Sequence, residues 1–96
     1  MTKGHRLAQY IQMIEDFLGR RSTAEEFATS FFRTFHDDPG GWDGELYEAL
    51  NWVATACESF TPRTPRSEFD VTEDQLRAQC SERLKLLRRL QHGLGR

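Results

Sequence analysis

The chain predicts an all-α protein, an antiparallel four-helix bundle with a longer Pro-containing crossing loop between helices three and four. Four stretches repeat apolar residues at spacings of three and four, the period of a helix that turns one face to a core. Two of those stretches open on a capping box, a Ser or Thr followed three residues later by Glu or Gln. Strand-like alternation of useful length is missing throughout. Four stripes of this kind are hidden only by one another, which is the logic of a bundle.

Helix one carries Leu7, Tyr10, Ile11, Ile14, Phe17 and Leu18, and Gly19 follows as a stop signal. In RSTAEEF, Ser22 or Thr23 opens helix two with a Glu three residues on, so that hydroxyl and carboxylate each satisfy an orphan N–H. Ala24, Phe27, Ala28, Phe31 and Phe35 form its inner face, Phe32 lies at the margin, and HDDPGG ends it with turn formers and a proline. Helix three is defined by Leu46, Leu50, Val53, Cys57 and Phe60 and is closed by Pro62. TPRTPRSEFDVT has two prolines and no helical period, so it reads as the crossing loop, pinned by Phe69 and Val71. Thr72 and Gln75 make the second capping box, and Leu76, Cys80, Leu84, Leu87 and Leu90 trace helix four to about His92. Residues 1–92 are expected to form one domain, with 93–96 as a frayed tail.

Hydrophobic residues make up 38% of the chain and include seven Phe, enough to exclude intrinsic disorder. No apolar run reaches the roughly 18 residues of a membrane span. The start, MTKGHRLAQYIQMIEDF, is amphipathic rather than signal-like, so a cytoplasmic location is expected. Cys57 and Cys80 sit on helical stripes without CxxC spacing and read as buried reduced thiols. His5, His36 and His92 are scattered, and HExxH, GxSxG and phosphate-cradling loops are all missing, which argues against an enzyme. His36, Asp37, Asp38 and Asp43 lack the alternating oxygen spacing of a calcium loop, so no metal site is expected.

Charge is the informative feature. Residues 1–70 hold twelve acids and seven bases, a net of −5, whereas 71–96 hold three acids and six bases, a net of +3. Between Thr34 and Pro62 there is no Lys or Arg, yet Asp37, Asp38, Asp43, Glu45, Glu48 and Glu58 all lie there. On helix four, Arg77, Lys85, Arg88 and Arg89 fall away from the leucine stripe as a solvated face, while Arg83 falls inside it and is expected to pair with a carboxylate at the bundle edge. On helix three, Glu45, Glu48, Trp52, Thr55 and Ser59 project opposite the core residues. Trp52 there is either an interface anchor or packed against the N-terminus or a second helix. Carboxylates without internal partners are inexpensive in water, and they invite a cationic surface.

At this point the chain resembles the bacterial self-protective immunity proteins of the colicin D type, which also occur beside contact-dependent growth inhibition toxins. The residues that carry the likeness are Phe17-Leu18 followed by Thr23-Ala24-Glu25-Glu26-Phe27, then Ala56-Cys57-Glu58-Ser59-Phe60-Thr61-Pro62, then Phe69-Asp70-Val71-Thr72-Glu73-Asp74-Gln75-Leu76. It spans roughly residues 8 to 88, apart from the turn between helices two and three. The resemblance implies a four-helix protein that masks the nuclease domain of its cognate toxin, a tRNase in the family's type member, with acidic side chains in place of RNA phosphates. Glu58 matches the acidic position before the Phe-x-Pro exit and takes the toxin-facing role. Where the family places further acids just after that proline, this sequence has Arg63 and Arg66.

The expectation is therefore a non-enzymatic immunity protein without cofactor or metal, which binds no nucleic acid, membrane or small molecule directly. Its toxin-binding residues are Asp37, Asp38, Asp43, Glu45, Glu48, Trp52 and Glu58, with Tyr47 as a second apolar anchor. The alternatives are a helical adaptor that reads another basic protein, and a nucleic-acid binder that uses helix four.

Overall fold

A computed structural model describes residues 3–42, 44–60 and 72–94. It contains four helices: α1 (Lys3–Leu18), α2 (Ala24–His36), α3 (Gly44–Ser59) and α4 (Glu73–Leu94). Each packs against two neighbours, α1 on α2 and α4, and α3 on α2 and α4. Phe17 near the end of α1 stacks on Phe27 early in α2, Phe35 late in α2 meets Tyr47 early in α3, and Glu45 shares a cleft with Leu86 late in α4. Arg77 in the second turn of α4 reaches Phe17 at the end of α1. Neighbouring helices thus run in opposite directions, and the described chain is an antiparallel four-helix bundle. The crossing loop, with Phe69 and Val71, lies outside the described residues.

The α1 stripe folds as its spacing dictates, with Leu7, Tyr10, Ile11, Ile14 and Phe17 all buried. Its C-terminus differs in one respect from the sequence reading. Arg21 N–H bonds the Asp16 carbonyl at 2.7 Å and Arg20 N–H the Phe17 carbonyl at 3.1 Å, the two bonds of a Schellman cap. The left-handed residue that this cap needs is Arg20, at φ +62°, rather than Gly19. A side chain in that conformation crowds its own backbone. Arg20→Gly is accordingly expected to raise stability by about 1 kcal/mol, seen as a higher urea midpoint at unchanged slope. No gain on urea unfolding would mean that the arginine side chain offsets the strain.

Of the two candidates for opening α2, the structure uses Thr23. Its hydroxyl accepts the Glu26 N–H at 3.1 Å, and the Glu26 carboxylate accepts the Thr23 N–H at 2.9 Å. That backbone bond, followed by the bond to the Thr23 hydroxyl, holds the Glu26 carboxyl below its ordinary range. Thr72 and Gln75 repeat the device at α4, with bonds of 2.9 and 3.2 Å. Inside, Phe27, Phe31 and Tyr10 form a chain of tilted rings 5.1–5.5 Å apart, which closes the α1–α2 seam.

α3 buries a wider face than its large residues announce. Ala49, Ala54 and Ala56 are as buried as Leu46, Leu50, Val53 and Cys57. A helix wedged between α2 and α4 needs small residues where it closes on its neighbours, and alanine lets the backbones approach. Cys57 and Cys80 are free and buried among these residues; burial pushes both thiols up, that of Cys80 to about 12. Inert core thiols are the result. The final helix runs to Leu94, two residues beyond the expected end at His92.

Arg77 is not part of a solvated face. Its guanidinium lies 4.4 Å from the centre of the Phe17 ring, donates to the Phe17 carbonyl at 3.0 Å and to Glu73 at 3.1 Å. The side chain caps a carbonyl at the end of α1 and covers the core edge with its stem. Arg88, by contrast, is an exposed cation paired with Glu15 at 2.7 Å, a contact worth little in water.

Candidate functional site

The turn HDDPGGW is built around one carboxylate. Asp38 Oδ1 accepts Arg6 Nη1 at 2.5 Å and the Gly40 N–H at 2.8 Å, while Oδ2 accepts the Tyr10 hydroxyl at 2.7 Å. Gly40 and Gly41 both adopt positive φ, 87° and 82°, which lets the chain double back so that the Gly40 carbonyl also accepts Arg6. The Arg6 guanidinium lies 4.7 Å from the centre of the Trp42 ring. Burial works to raise the Asp38 pKa, but the Tyr10 and Gly40 bonds and the Arg6 charge outweigh it and hold the carboxyl below its ordinary range. Tyr10, buried and facing that carboxylate, is pushed up. The Trp42 indole N–H adds to the field on Asp38 yet falls outside bonding geometry, and it is the buried side-chain polar atom left without a partner among the described residues.

Asp38, expected on the acidic surface, is part-buried at the edge of the α2–α3 groove, with its side chain 5% exposed. Its chemistry is satisfied by Arg6, Tyr10 and a backbone amide.

The expected residues of α3 fall on two flanks of that helix. Glu45, Glu48 and Trp52 share a shallow cleft with Arg83 and Leu86 on the α4 side. Trp52 is half exposed; its indole N–H donates to Gln79 at 2.6 Å and Arg83 lies over its ring at 4.7 Å. It is thus packed on a second helix, α4, while remaining half exposed. Arg83, expected to pair with a carboxylate, instead stacks on this ring, because Trp52 lies across the α3–α4 seam from it.

On the α2 side, Tyr47, Asn51, Thr55 and Glu58 of α3 line a groove of about 370 Å³ together with Phe32, Phe35 and His36 of α2, and Trp42 and Asp38 also border it. Asp37 stands exposed at the end of α2, its N–H bonded to the Arg33 carbonyl. Asp43 lies outside the described residues. Asp37, Glu45, Glu48 and Glu58 are exposed and form no ion pair among the described residues. Sequence reasoning missed Phe32 and Phe35 as groove residues, since Phe35 shares the spacing of the α2 core and Phe32 lies at its margin, while the groove exists only where α2 meets α3.

Groups of three or more His, Cys, Asp or Glu side chains able to hold a metal ion are absent among the described residues. No described helix is long and apolar enough to cross a membrane. What the described residues present along α3 is a set of exposed acids, Glu45, Glu48 and Glu58, beside the exposed rings of Tyr47 and Trp52. The sequence model of the family described as bacterial self-protective colicin-like immunity matches residues 6–87, nearly the whole of this surface and its scaffold. The chain belongs to that family. No curated protein and no solved structure matches it. As a colicin-like immunity protein it is a toxin-inhibiting protein whose partner is a cognate toxin.

Proposed function

We propose that this immunity protein acts without catalysis in the cytoplasm, by seating its α3 face in the basic cleft of a nuclease toxin of the tRNA-cleaving kind. Asp37, Glu45, Glu48 and Glu58 stand where RNA phosphates lie, and Trp52 and Tyr47 supply apolar anchors. Asp43 belongs to the same acidic stretch of sequence. One observation carries the reading: in a stretch from Thr34 to Pro62 without Lys or Arg, the exposed carboxylates of α3 are left unpaired among the described residues while Asp38, the carboxylate turned inward, is fully paired. Anions left open in this way repel one another mildly in water and gain most when a cationic surface covers them.

The test is co-expression with the C-terminal toxin domain encoded beside the protein, scored by cell survival and by cleavage of the cell's tRNA. Survival with intact tRNA supports the reading. Killing at equal expression, or a toxin domain that leaves RNA untouched, overturns it. Association measured by stopped flow is expected to slow by about tenfold or more between low and 0.5 M salt. A flat response would argue for docking through apolar contacts instead.

A further inference from the structure

The groove between α2 and α3 combines features that the fold does not require. Phe32 and Tyr47 line it while remaining 38% and 50% exposed. Phe32 lies parallel to His36 with ring centres 6.2 Å apart, and Phe35 meets Tyr47 at 6.1 Å, so aromatic rings form both walls. Glu58 borders both this groove and the next cleft, and Phe32 is its neighbour in each. No Lys or Arg lines the groove. Arg33 stands with Glu58 and Phe32 in the adjoining cleft, and it forms no ion pair with Glu58 among the described residues.

Aromatic faces attract a cation, and a carboxylate set against apolar walls attracts it more strongly than one in open water. Between the two natural cations, a guanidinium fits better, because it is planar, weakly hydrated and able to stack on a ring while its edge pairs with a carboxylate. We propose that this groove receives an arginine side chain of the toxin, with the guanidinium against the Phe32 ring and paired with Glu58, beside Tyr47 and Asn51. The source of the arginine rests on the immunity reading; the chemistry of the groove does not.

Two measurements separate these layers. In the first, N-acetyl-arginine amide is titrated into isotopically labelled protein and followed by NMR, with the citrulline and lysine analogues as comparison probes. Shifts confined to Phe32, Tyr47, Asn51 and Glu58, and weakened about tenfold by citrulline or by Glu58→Gln, support the proposal. Equal binding of citrulline or lysine, no binding of the arginine probe, or shifts spread over Glu45 and Glu48, overturns it. In the second, toxin affinity is measured for Phe32→Ala and Tyr47→Ala, both at exposed positions. Losses of about tenfold or more in each support the groove; wild-type affinity in both, with protection intact, sinks the groove and leaves the immunity reading standing. Binding of the arginine probe by a protein that fails to bind the toxin domain does the reverse.

Discussion

Asp38→Asn is expected to destabilise the bundle by about 3 kcal/mol, a large part of the total for a domain of this size. The substitution keeps the shape of the side chain and removes its charge. Arg6, whose side chain is 17% exposed, then faces a neutral amide in a site closed by the Trp42 ring. The Tyr10 hydroxyl, on a residue 1% exposed, loses its strong acceptor and keeps only a long bond of 3.4 Å to the Thr34 carbonyl. Breaking one partner of an enclosed ion pair strands the other, which costs far more than the pair itself contributes. Urea unfolding of wild type and variant checks the figure. A loss below about 1 kcal/mol would show that water reaches Arg6 freely, as at a surface pair. The double variant Arg6→Met/Asp38→Asn is expected to recover part of the loss, since no stranded charge remains.

The same network sets the pH dependence of stability. Asp38 is held below the ordinary aspartate value near about 3.9, so the folded state binds its proton less readily than the unfolded chain. Its contribution is complete above that value and fades as pH falls through the lower folded pKa. Tyr10 acts in the other direction: its raised pKa favours the folded state below about 10 and ceases to do so as pH climbs beyond. In Asp38→Asn the acid limb of the curve should flatten relative to wild type.

How far the sequence discloses this molecule depends on the range of the interactions concerned. Both capping boxes and the stripes of α1, α2 and α4 are local, fixed by residues three or four apart, and the structure repeats them at Thr23, Thr72 and the buried leucines. The Arg6–Asp38 pair joins residues 32 apart, and nothing in either neighbourhood names the other. The only local hint was the Asp two residues before Gly40, the pattern of an Asx turn that uses the carboxylate internally. Ala49, Ala54 and Ala56 were illegible for another reason: alanine is neutral to both core and surface, and its burial depends on how many neighbours a helix has. Angles around α3 placed Glu45, Glu48 and Trp52 together correctly, but they could not say that Glu58 belongs to the α2 groove, because that depends on where α2 lies.

Charge reversal on α3 is expected to abolish protection while leaving the bundle folded. Glu45, Glu48 and Glu58 are exposed, and substitutions at such positions usually change stability by no more than about 0.5 kcal/mol. Against a cationic cleft each reversal replaces an attraction by a repulsion. Close charge pairs across interfaces couple by about 1.5–7 kcal/mol, so Glu58→Lys alone should weaken toxin binding by about a hundredfold or more. The pair Glu45→Lys/Glu48→Lys reports on the other flank. If both variants lose binding with unchanged melting temperature, the toxin covers the whole width of α3 and its contact includes Trp52 between the flanks. If only Glu58→Lys loses it, the toxin sits on the α2 side, and the stacked Trp52–Arg83 pair belongs to the fold. Glu82→Lys, exposed on α4, is the control for bulk charge: because long-range steering alone is screened within about 10 Å at 0.1 M salt, this variant should bind like wild type. Equal losses in all three would mean that net charge rather than position governs recognition, and unchanged protection in both α3 variants would remove this face from the interface.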